Sequence, residues 1–229
     1  SAIGVNTFQN LSSIGLFSTY CQDVNVSSCQ FNNNEFCIRV ENVDLMNLNG
    51  FGNTSTSLFV MDNSLGGVWG NNSNVNIQNC NMRLKTSGIL LHGPNNATHN
   101  LARNRISIIG NTTFPGIVSQ AIRLQNCQPY GQGMQVFQNH ITINNSTISP
   151  TQPMITPHEA ILVWNTSGVP GQTLRIESNY INLITGTAGI KCINGVINAS
   201  VSGNDIYMNN LPPQINPLGL AQNGIQFHT

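Results

Sequence analysis

Charge is what this chain has least of. Its 229 residues include 8 basic and 8 acidic side chains, 7% of the total, against about 25% in an ordinary domain. Only Lys85 and Lys191 are lysines, and the formal net charge is zero. That balance excludes a polybasic nucleic-acid surface and an electrostatic membrane binder. No apolar run approaches the roughly 20 residues of a transmembrane helix. The six cysteines, at 21, 29, 37, 80, 127 and 192, form no CxxC pair and have no histidine at zinc-finger spacing. Aromatic residues are 7% of the chain. Disorder is excluded too, because 39% of residues are hydrophobic and they recur regularly. Asparagine stands where charge is missing: 36 Asn, with 19 Ser, 17 Thr, 15 Gln and 21 Gly. Ten Asn-x-Ser/Thr sequons, from Asn10 to Asn198, offer glycosylation sites if the source is eukaryotic.

The regular element is a repeat. A small residue, an apolar one, a variable one, another apolar one, a variable one and often Asn recur seven times. The copies are Cys37–Asn42, Leu58–Asn63, Gly88–Gly93, Ala121–Asn126, Ala160–Asn165, Gly189–Asn194 and Gly224–Thr229. A second pattern follows, apolar-x-apolar-x-x-Asn-x-Ile, as in Met134–Ile141, Leu174–Ile181, Ala199–Ile206 and His99–Ile106. Val24–Phe31 and Val75–Met82 fit it with Cys29 and Cys80 in the Asn slot. Val43–Asn49 lies one residue out of register. A third short alternating run follows the Asn, as in Ile141–Ile143. Period-two alternation marks strands with one buried face, and no repeat leaves room for a helix.

Three strands per repeat predict an all-β, single-stranded right-handed parallel β-helix of about seven coils with variable loops. One domain is expected over 1–229, with 1–12 irregular or capping. Successive coils pair at about 4.8 Å, so equivalent residues form columns. Asn104, Asn139, Asn179 and Asn204 should form a buried amide ladder at a sharp bend, each in left-handed conformation. A second Asn column, 42, 63, 126, 165 and 194, closes the first strand. The inward stacks are expected to run Ile38, Phe59, Ile89, Ile122 and Val40, Met61, Leu91, Leu124. The last copy stops after a first-type strand, so the chain reads as part of a longer protein.

These GIxF/AIxL strands and xIxxNxI turns resemble the pectin-lyase-like superfamily of right-handed parallel β-helices, over residues 13 to 229. The resemblance implies the fold. It also implies a menu of functions: polysaccharide lyases, glycoside hydrolases, epimerases, phage tailspikes, adhesins and inert shafts. In polygalacturonase-like members an Asp occupies the slot held here by Glu159. The neighbouring slots hold Gln120 and Ala188, and Pro157-His158 replaces the family's Asn-Thr. Glu159 beside His158 therefore reads first as a hydrogen-bonding pair in a loop.

The repeat alignment sets Glu41, Asp62 and His92 on one outward column, on three successive coils about 4.8 Å apart. Two carboxylates so close suit a retaining acid/nucleophile pair or an oxygen-liganded Ca²⁺ site. No other cofactor is expected. Arg39, Arg123, Trp164 and Lys191 share the outward face as candidate substrate contacts, with Trp164 a sugar-stacking platform and Trp69 in or beside a loop. Glu159 is the remaining catalytic candidate. The preferred function is a rigid structural or glycan-binding module, secreted or on a cell or virion surface, with self-association as a trimer or fibre. The alternative is a polysaccharide lyase or glycoside hydrolase. Its partners would be polysaccharides or glycoprotein glycans, with no nucleic acid and no membrane span.

Overall fold

The computed structural model describes residues 6–50, 60–94, 96–110, 118–131, 133–145, 157–166, 172–196, 198–213, 218 and 221–228. Among these every regular element is a strand, and the strands form three parallel sheets. It winds as a right-handed parallel β-helix, each turn contributing one strand to each sheet. The first sheet has eight strands: Ile14–Thr19, Phe36–Glu41, Gly66–Asn71, Ser87–His92, Gln120–Gln125, Glu159–Trp164, Ala188–Ile193 and Asn223–Phe227. The second has seven, from Asp23–Ser27 to Ala199–Ser202, and the third eight, from Asn6–Gln9 to Asp205–Met208. Asn6–Gln9, inside the stretch expected to be irregular, pairs with Cys29–Asn32. Among the described residues no helix is long and apolar enough to cross a membrane.

The core lies between the sheets as stacked columns. Ile38, Val68, Ile89, Ile122, Ile161 and Ile190 occupy one, each in register with the next and each fully buried. Two expected members of the inward stacks are displaced. Met61 lies in the third sheet, between Phe31 and Met82, and Phe59 lies outside the described residues. Their places in the first sheet belong to Val68 and Gly70. The second-sheet strand Leu45–Asn49 is in register after all, with Met46 against Val24 and Val75 and Leu48 against Val26 and Ile77.

Bends between sheets are made by single residues in left-handed conformation, and asparagine tolerates that region best after glycine. Asn42, Asn72, Asn126, Asn165 and Asn194 close the first sheet with φ between 48° and 55°. Asn63, expected among them, closes a third-sheet strand instead, with Asn10 and Asn33. The buried ladder is present, but its left-handed residue is the one before each Asn: Arg103, Gln138, Ser178 and Gly203. Asn104, Asn139 and Asn179 are 1% exposed. Asn139 Nδ2 donates to Leu101 O at 2.8 Å and to Asn179 Oδ1 at 3.0 Å; Asn179 Nδ2 repeats this to Val136 O at 2.9 Å and Asn204 Oδ1 at 2.8 Å. Each amide thus ties the coil before it to the coil after it.

Candidate functional site on the outer face of the first sheet

Two columns of outward side chains run along the first sheet. One reads Phe17, Arg39, Trp69, Leu90, Arg123, Leu162 and Lys191; the other reads Thr19, Glu41, Asn71, His92, Gln125 and Trp164. Arg39, Arg123, Trp164 and Lys191 therefore stand where the repeat places them. Asp62 does not. Its strand belongs to the third sheet, where it pairs with Asn32 and Arg83 and its carboxylate meets Arg83 Nη1 at 3.2 Å. Asn71 takes its place between Glu41 and His92. The expected Glu41–Asp62 acid pair, and with it the Ca²⁺ ligand pair, is overturned by this register. Among the described residues no group of three or more His, Cys, Asp or Glu is placed to hold a metal ion.

The register also brings Trp69 into the face, although its sequence context pointed to a loop. Its ring lies 4.4 Å from the Arg39 guanidinium carbon, and the Phe17 ring lies 5.7 Å away on the other side. Such sandwiches hold a cation by the negative face of each ring. Arg39 is fixed further by Glu41 Oε1, which accepts from its Nε at 2.8 Å and from Nη2. The Arg39 charge is thus compensated locally, and Glu41 is occupied.

Trp69, Asn71, Leu90, His92, Arg123 and Gln125 line a shallow recess of about 210 Å³. His92 is tied on both sides, Nδ1 to Asn71 Oδ1 at 3.2 Å and Nε2 to Asn126 Nδ2 at 2.7 Å. Donation from Asn126 requires the neutral imidazole with its proton on Nδ1. Arg123 lies 5.3 Å from the Trp164 ring centroid and donates from Nη2 to Gln125 Oε1. Its Nε is buried and has no hydrogen-bond partner among the described residues. Burial pulls this guanidinium below its usual value while the Glu159 carboxylate pushes it back up.

Glu159 opens a strand of the same sheet and is 4% exposed. Its Oε2 accepts from Gln120 Nε2 at 3.0 Å and its Oε1 faces Lys191 Nζ at 3.4 Å. The expected pairing with His158 is absent. His158 is buried and turns the other way, its Nδ1 accepting from Ser119 N–H at 3.2 Å, and burial lowers its pKa to about 4. Four of the six cysteines are held as inert thiols: burial pushes Cys37, Cys80 and Cys127 up to about 12 and Cys192 to about 11, while Cys21 is exposed.

Among the described residues no acid lines the recess. What does line it is an indole ring, two leucines, two amides, an imidazole and a guanidinium. The fold and this face together define a parallel β-helix with an aromatic and amide-rich outer strip. No protein-family model, no curated protein and no solved structure matches the chain.

Proposed function

We propose that the chain is a rigid glycan-binding module, displayed outside the cell or on a virion surface, that holds its ligand on the outer face of the first sheet. The observation that carries this reading is the recess lined by Trp69 and Leu90 together with Asn71, Gln125, His92 and Arg123. An indole and an aliphatic side chain take the apolar face of a sugar ring, while amides satisfy its hydroxyls. Trp164 lies three rungs further along the sheet, about 14 Å at the usual strand spacing. A short oligosaccharide running along the coil axis would reach both rings. Scarce charge and stacked amides suit a stable extracellular shaft, and the resemblance to the pectin-lyase-like superfamily adds a precedent for carbohydrate on this fold.

A glycan array followed by tryptophan-fluorescence titration tests this. Saturable binding of at least one oligosaccharide is expected, and W69A should weaken it by roughly 30-fold, as truncating a central aromatic anchor does. Unchanged affinity in W69A overturns the site.

One observation favours the alternative, a polysaccharide lyase or glycoside hydrolase. Glu159 is a buried carboxylate on this same sheet, with Lys191 3.4 Å away and Arg123 in its field. If the chain cleaves a glycan, E159Q should abolish cleavage and leave binding in place.

A further inference from the structure

The outer face of the third sheet carries an aromatic rib that the glycan reading does not use. In the strands Arg105–Ile108, His140–Ile143, Tyr180–Leu183 and Asp205–Met208, the leading residues Arg105, His140, Tyr180 and Asp205 are in register on four successive coils. The His140 and Tyr180 rings stack at 4.6 Å and 27°, and Tyr207 leans on Tyr180 at 5.2 Å. Tyr180 is 37% and Tyr207 55% exposed. Because the ring faces are turned on one another, what this rib offers outward is ring edges and tyrosyl hydroxyls. That arrangement suits contact with another protein surface better than stacking on a sugar.

The charges at the two ends of the rib say which surface. Arg105 ends it on one side and Asp205 on the other, three rungs apart, about 14 Å. Both are exposed, and neither side chain makes an ion pair or hydrogen bond among the described residues. A chain with 16 charges in all thus leaves one of each sign unpaired at opposite ends of one aromatic strip. A two-fold axis parallel to the strands, between the His140 and Tyr180 rungs, maps the strip onto itself. It sets Arg105 against the second copy's Asp205, Asp205 against its Arg105, and His140 against its Tyr180. That is the self-complementarity an isologous interface requires.

We propose that this face joins two copies of the chain into an antiparallel two-fold dimer, leaving both first-sheet faces open to ligand. Light scattering behind size exclusion should give twice the 24.8 kDa chain mass at micromolar concentration. The single reversals R105D and D205R each set like charges against one another and should weaken dimerisation by about a hundred-fold or more. The double reversal R105D/D205R should restore it. Within one chain the two residues are too far apart to pair, so restoration reads contact between copies. Circular dichroism identical to the parent chain shows that the single variants are folded. A monomer at all concentrations overturns the proposal, as does a dimer indifferent to the single reversals or one not restored by the double. Quenching of tyrosine fluorescence by an oligosaccharide in such a monomer would assign the rib to glycan instead.

Discussion

At the scale of single residues, the amide of Asn179 takes part in four hydrogen bonds. It donates to Val136 O and Asn204 Oδ1 and accepts from Asn139 N–H and Asn139 Nδ2, all at 2.8–3.0 Å and away from water. Asn179→Ala leaves the Asn139 backbone N–H buried without its acceptor and removes the amide's bonds to Val136 O and Asn204 Oδ1. We expect a loss of about 2–4 kcal/mol in urea unfolding. No left-handed alanine is created, because the φ of 56° belongs to Ser178, so the whole loss reports the amide. An unchanged midpoint would show that the ladder is not structural. The buried imidazoles give a second prediction. Burial holds His99 and His158 near 4, against 6.5 in an open chain. In the folded chain both stay neutral down to that pH, while the unfolded chain takes up two protons below 6.5. Stability is therefore full above pH 6.5 and falls as pH drops from 6.5 towards 4. The loss is on the order of 2 kcal/mol per histidine by pH 5. Urea midpoints at pH 7.5 and 5.0 measure it; a flat profile contradicts their burial.

At the scale of strands and coils, close approach decides what is tolerated. A Cβ on Gly88 would lie 2.2 Å from the carbonyl oxygen of Ala121 on the next coil. Gly88→Ala must therefore push two strands apart, at about 1–3 kcal/mol, whereas Ile161→Ala, sandwiched between Ile122 and Ile190, should cost about 2–5 kcal/mol through its cavity. Equilibrium unfolding of both variants checks the register from two sides. The coils from Gly88 onward were legible in sequence because Ile-x-Leu/Val alternation marks their inward positions. The coil before them was not. There the first-sheet strand reads Gly67-Val68-Trp69-Gly70-Asn71, with glycine at an inward position under Leu91, so its hydrophobic period vanishes. The third-sheet strand Val60–Asp62 just upstream ends in a left-handed Asn63 and mimics the missing copy. That one substitution moved Asp62 into a site it does not occupy and hid Trp69 from the site it does. Glu159 was legible as a position but not in its partners, since Gln120 and Lys191 reach it from neighbouring coils through unpatterned outward slots.

At the scale of the molecule, the faces differ, with the proposed ligand strip on the first sheet, amide ladders at the bends and an aromatic rib on the third sheet. Each acid near the ligand strip is held by a cation, Glu41 by Arg39 and Glu159 by Lys191. The proposed binding role predicts that a glycan is held without being cut. The most direct measurement is to titrate the chain with an oligosaccharide found on an array and recover that oligosaccharide after long incubation for mass spectrometry. We expect saturable binding that W69A weakens, and an oligosaccharide recovered at its original mass. Shortened or unsaturated products that disappear in E159Q would contradict a binding module and make the chain an enzyme.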